Sequence, residues 1–160
     1  MRMSTKFPLA VHILMIISAF SDEKKINSDV LSQITGANAV TIRNIFKSLK
    51  DADMISISPG PGGAKLARGA DSISLWDVFL TVELSDPDEF FKFHEQADLR
   101  YPIGGNILGI LKDHLDESVA AMKQKLSTVT IALLLDEAVK RLSDLEIMCE
   151  EQNTLSDSEN

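Results

Sequence analysis

The chain has 160 residues, a net charge of −8 and one cysteine, which suits one domain with an extension and a substantial core. Cys149 alone excludes an intramolecular disulfide framework and fits a reducing cytoplasm. The acidity would argue against a nucleic-acid partner, but residues 1–70 hold nine Lys/Arg against five Asp/Glu (+4) and residues 71–160 seven against nineteen (−12).

Pro8 to Phe20 is an apolar run preceded by Arg2 and Lys6. It is too short to span a bilayer, and acidic Asp22-Glu23 rather than a small-residue cleavage site follows it. Leu9, Ile13, Ile16, Ile17 and Phe20 trace a helical stripe, so a buried first helix is predicted, with His12 in its core or at its edge.

Ser28-Asp29-Val30 predicts a short helix with Ser28 as its cap and an acid in its first turn. Ser32 and Gly36, four residues apart, allow a close turn, since Gly36 can take a positive φ. Asn38 is a good N-cap for the next helix, Ala39 to about Ala52. Ile42, Ile45, Phe46 and Leu49 form its buried face, leaving Thr41, Arg43, Asn44, Lys47, Ser48 and Lys50 outside, as a helix presents to phosphates and base edges.

Ile55-Ser56-Ile57-Ser58 alternates as a half-buried strand does. Pro59-Gly60-Pro61-Gly62-Gly63 forces a turn, and Ala64 to Arg68 returns as a second strand. A helix-turn-helix followed directly by a hairpin is a winged helix, and the positive charge lies on this half of the chain. The wing glycines lack the Lys-Ser/Thr and the helix of a phosphate-binding P-loop.

Ser74-Leu75-Trp76-Asp77 has capping-box spacing, flanked by Ile73 and Val78 where a hydrophobic staple would form. The predicted helix runs from Leu75 to about Glu83, with Trp76 a packing residue. Residues 84–105 read as an irregular connector with Phe90, Phe91 and Phe93, broken by Pro102 and Gly104-Gly105. A regulatory site, including one for a small-molecule effector, fits best there. From Asn106 to Leu126 one long helix is predicted, with Leu111, Leu115, Val119, Met122 and Leu126 as a stripe that needs a partner. Thr130 can cap a final helix through about Met148, and residues 150–160 form an acidic, disordered tail.

Met1-Arg2-Met3-Ser4-Thr5-Lys6, the segment Asn38 to Arg43, the wing Gly60 to Arg68, and Ile73-Ser74-Leu75 with Asp77-Val78 together resemble the Rrf2 family of bacterial winged-helix regulators. The resemblance covers roughly residues 1–148. That family includes the iron–sulfur cluster regulator and the nitric-oxide-sensing repressor. It implies a mainly α fold with a small β-hairpin, a winged helix-turn-helix domain and a long C-terminal dimerisation helix. Residues 1–83 would bind DNA, 84–105 connect, and 106–149 dimerise. Cluster-holding members place three cysteines in the connector, whereas this connector has none, only His94, Glu95 and Tyr101-Pro102-Ile103-Gly104. The chain is thus similar to a cysteine-free branch, with no cofactor expected.

The histidines, His12, His94 and His114, show no catalytic spacing, so no enzyme activity is expected, and a metal site at His94 and His114 with Glu95 or Asp113 is the weaker alternative to none. The predicted function is a cytoplasmic homodimeric repressor binding an inverted-repeat DNA operator, with no membrane partner. Thr41, Arg43, Asn44 and Lys47 would contact the major groove, Lys65 and Arg68 phosphates or the minor groove, and Ser28 and Asn38 the backbone near their helix starts. Leu111, Leu115, Val119, Met122 and Leu126 would form the dimer seam. The competing class is a winged helix used for protein–protein contact without DNA.

Overall fold

Apolar residues on more than one face of the first helix place it at the centre of the molecule. The computed structural model describes residues 4–58, 63–83, 91 and 107–143, and in it α1 spans Lys6–Phe20. Ala10, Ile13, Leu14, Ile16 and Ile17 are buried, too wide a set for one stripe, because α2, α4 and the hairpin all pack around this helix. His12 is exposed, so it belongs to the edge and not to the core.

The second helix, α2, spans Ser28–Thr35, and its cap is Asn27, not Ser28. The Asn27 Oδ1 accepts from the Asp29 and Val30 N–H groups at 3.0 and 2.9 Å. Both residues can cap, and the extended backbone falls one position earlier, leaving Ser28 as the first helical residue. Gly36 closes α2 at φ +71°, a conformation that suits glycine. Ser32 Oγ donates to the Ala37 carbonyl at 2.7 Å and pins the turn. Asn38 then caps α3 (Ala39–Asp51), accepting from the Val40 N–H at 2.8 Å. Ile42, Ile45, Phe46 and Leu49 form its buried face.

β1 (Ile55–Ser58) and β2 (Gly63–Leu66) pair antiparallel, from Ile55 opposite Leu66 to Ser58 opposite Gly63. The return strand therefore begins one residue before Ala64 and ends before Ala67. Ile55 is buried but Ile57 is 40 % exposed, so the strand is not evenly half-buried: its outer half reaches beyond the helical core. Gly63 sits at φ +69°, and a Cβ there would lie 2.8 Å from the Ile26 carbonyl oxygen. The next residue, Ala64, donates its N–H to that same oxygen at 2.8 Å. Glycine is required there by both backbone angle and space. Pro59 to Gly62, the rest of the turn, lie outside the described residues.

After a short 3-10 turn (Ala70–Ser72), α4 spans Leu75–Glu83. Its capping box is reciprocal: Asp77 N–H donates to Ser74 Oγ at 3.2 Å, and Ser74 N–H to Asp77 Oδ2 at 3.0 Å. Ile73 and Val78, the staple pair, are fully buried. Trp76 packs as expected, stacked on Phe79 with ring centroids 5.8 Å apart.

The far end of α4 closes the domain in a way the sequence did not suggest. Glu83 accepts from the Ser4 N–H at 3.3 Å, the Ser4 hydroxyl and the Phe7 N–H at 3.2 Å. It thereby satisfies the Phe7 N–H in the first turn of α1, where the N-cap Thr5 makes no side-chain cap. Phe7 meets Phe79 edge-to-face, centroids 5.5 Å apart, over the same junction.

The long helix α5 spans Ile107–Ser127 and touches α4. A final helix, α6, is described over residues 131–143, with Thr130 Oγ1 accepting from the Leu133 N–H at 3.2 Å. The α5–α6 link docks on the start of α4. Leu75 N–H donates to the Val129 carbonyl at 2.8 Å, Ile131 N–H to the Ile73 carbonyl at 3.0 Å, and Ile131 is fully buried. The connector apart from Phe91, the extension of α6 towards Met148, Cys149 and the tail lie outside the described residues.

Candidate nucleic-acid interface

The candidate interface begins with the angular spacing of α3. Opposite the buried Ile42, Ile45, Phe46 and Leu49, residues Val40, Asn44 and Lys47 follow at i, i+4 and i+7 along one outward line. Asn44 and Lys47 are exposed, and Lys47 has no acidic partner among the described residues. Val40, at the leading end of this line, is 57 % exposed. Sequence reasoning did not name it, because only polar residues were considered on the outer face; its offset from Ile42 was the available signal.

Two predicted contacts flank that line rather than lying on it. Thr41 is half-buried and, with Asn44, Ile45 and Ser48, lines a cleft of about 120 Å³ that Lys6 and Val82 complete. Lys6, which sequence reasoning noted only as a flank to an apolar run, thus meets α3 from the start of α1. On the other flank, Arg43 turns towards α2. Its Nε donates to Ser28 Oγ at 3.4 Å, and its Nη2 lies 3.9 Å from Asp29 Oδ1. Ser28 and Arg43 are therefore neighbours. Asn38 is exposed, but its side-chain oxygen is taken by the cap.

The wing cations are also held by acids. Lys65 Nζ donates to Asp22 Oδ1 at 2.8 Å. The hydrogen bond and the charge of Lys65 hold the Asp22 carboxyl below its usual range. Both side chains are more than half exposed, and exposed pairs of this kind contribute little, so a phosphate can replace the aspartate. Arg68 Nη2 lies 3.8 Å from Asp77 Oδ2, the oxygen used in the α4 cap. This puts Arg68 at the base of the wing against α4. Three of the predicted DNA-facing cations thus have an aspartate partner from another element, which reduces the positive field of the free protein.

In the C-terminal half, Leu111 is 41 % exposed. Leu115, Val119, Met122 and Leu126 are partly buried within the chain itself, and α5 touches α4. Ile110, Leu133, Val139 and Leu142 are 61, 43, 64 and 61 % exposed, adding α6 to the apolar surface that α5 presents. No helix among the described residues is long and apolar enough to cross a membrane. Among the described residues no three His, Cys, Asp or Glu side chains cluster as metal ligands. His114 is exposed on α5, and His94 and Glu95 lie outside the described residues.

Comparison with known proteins agrees with the helix-turn-helix and wing. Residues 3–137 match the Rrf2 family model, described as "Iron-dependent Transcriptional regulator". The chain is 27 % identical over 128 residues to YwnA of Bacillus subtilis (strain 168), named as an HTH-type transcriptional regulator, spanning 80 % of this chain and 92 % of that one. YffB of Lactococcus lactis subsp. lactis (strain IL1403), likewise named, is 27 % identical over 142 residues, 86 % of this chain and 88 % of that one. A crystal structure of a transcriptional regulator from Lactobacillus plantarum superposes with a TM-score of 0.70 at 26 % identity, covering 93 % of this chain and 99 % of that one. These relatives are regulators and not enzymes. The breadth of the family match settles the kinship: this chain belongs to the Rrf2 family of transcriptional regulators.

Proposed function

We propose that this regulator is a cytoplasmic homodimer that binds an inverted-repeat operator and represses transcription. Residues 1–83 would form the DNA-binding unit, 84–105 the connector and 106–149 the dimerisation region. The observation that carries the reading is the outward line of α3, with Asn44 and Lys47 exposed opposite a fully committed core face and a cation-bearing wing behind it. Asn and Lys at such positions suit base edges and phosphates. The exposed apolar residues of α5 and α6 support the dimer, since uncovered surface of this kind marks an interface. Two-fold pairing would set recognition helices about one DNA turn, on the order of 34 Å, or a multiple apart.

The reading is tested by selecting duplexes from a random library and measuring variants on the winner. Arg43→Ala is expected to lose about 1–3 kcal/mol of specific affinity if its guanidinium leaves Asp29 for a guanine edge. Lys65→Ala is expected to weaken all duplexes similarly and flatten the salt dependence by about one unit. Wild-type affinity in both variants would refute the contacts.

The family description names iron, and the donor set here does not fit a thiolate-held cluster. Such clusters need several thiolates, and the chain has one cysteine, Cys149. We therefore assign a cluster-free regulator. Protein purified without oxygen is expected to be colourless, and its DNA binding indifferent to nitric oxide and iron chelators. A brown preparation with stoichiometric iron and sulfide would contradict this.

A further inference from the structure

We infer that Val40 reads the C5-methyl group of a thymine in the major groove. The inference rests on the DNA-binding reading above and deepens it by naming one base that α3 recognises. Val40 is the second residue of α3, and the first residues of a recognition helix are those that approach base edges. It lies on one line with Asn44 and Lys47 and is 57 % exposed. A single exposed apolar side chain is ordinary on a protein surface. This one differs by standing at the leading end of the polar line that would enter the groove.

Its chemistry suits one ligand. Thymine carries the only methyl group in the major groove, and an apolar side chain complements it where a polar one would leave it unmatched. A β-branched side chain in a helix has one strongly preferred rotamer, so the Val40 methyls are presented without further ordering. The backbone beneath is fixed as well, because the Val40 N–H donates to Asn38 Oδ1 at 2.8 Å. Valine is a poorer helix former than alanine, so helix stability does not account for its use at this exposed position.

The experiment uses the full chain and its selected operator, with each thymine of a half-site replaced in turn by deoxyuridine, which lacks only the methyl. At one position, wild type is expected to lose about fourfold in affinity, the value for burying one methyl group. Val40→Ala, which keeps the helix, should be indifferent at that position, and Val40→Ile should retain the discrimination. If wild type binds the operator but no thymine distinguishes it from Val40→Ala, the contact is overturned while DNA binding stands. If wild type selects no operator at all, both fall together.

Discussion

Replacing Leu115 and Val119 together by aspartate is expected to give a folded monomer that no longer holds its operator tightly. The stripe Leu111, Leu115, Val119, Met122 and Leu126 runs along a helix of 21 residues, roughly 30 Å long at about 1.5 Å per residue. The helix touches α4, the rest of the stripe is partly buried, and Leu111 remains 41 % exposed in the single chain. A second copy would cover the remainder by self-complementary contact. Two carboxylates per subunit in that seam would cost several kcal/mol, roughly the loss of an unpaired charge buried in apolar surroundings. Light scattering gives the mass and anisotropy the operator affinity. Leu111→Asp serves as a control, because its exposure spares the fold of the single chain. Variants that stay dimeric and bind normally would assign the stripe to the chain's own core.

A loss of comparable size is expected from Phe79→Ala in α4. Phe79 is 2 % exposed, stacks on Trp76 and meets Phe7 edge-to-face. Removing the ring deletes both aromatic contacts and leaves a cavity, which typically costs about 3–5 kcal/mol. At about 2–4 °C per kcal/mol for a chain of this size, the melting temperature should fall on the order of 10 °C. Thermal circular dichroism reads this directly. A shift of only about 1 °C would mean that the α1–α4 junction contributes little.

Features set by near neighbours were legible in the sequence. The Asn38 cap, the left-handed Gly36 and the reciprocal Ser74–Asp77 box each use partners within a few residues. The buried face of α3 follows from a repeat of 3.6. Even so, the α2 cap was displaced by one residue, because Asn27 and Ser28 are both competent and only the backbone angle decides between them. Features set by distant neighbours were not legible. Glu83 meets Ser4 at a separation of 79 positions, and Lys65 meets Asp22 at 43. No periodicity encodes such pairs; they exist because α1 runs against α4 and the wing.

The same distinction applies to the interface. The exposed line of α3 could be read from the repeat, but the two flanks, Thr41 against Lys6 and Val82 and Arg43 against α2, needed the packing of α1, α2 and α4. Lys6 enters only at that level. The aspartates beside Arg43, Lys65 and Arg68 also bear on the paradox of a −8 chain among DNA-binding regulators. Under the proposed function they would reduce the attraction of the free protein for arbitrary DNA and leave base contacts to decide where it settles.

The most direct test of sequence-specific recognition is the affinity of the wild-type protein for its selected operator and for a scrambled duplex of equal length, measured near physiological salt. The operator is expected to bind at least about a thousandfold more tightly, within the usual range for specific over non-specific DNA, and Lys47→Ala should weaken binding to both duplexes. Equal affinity for operator and scrambled duplex would contradict the assignment of α3 as a reader of sequence.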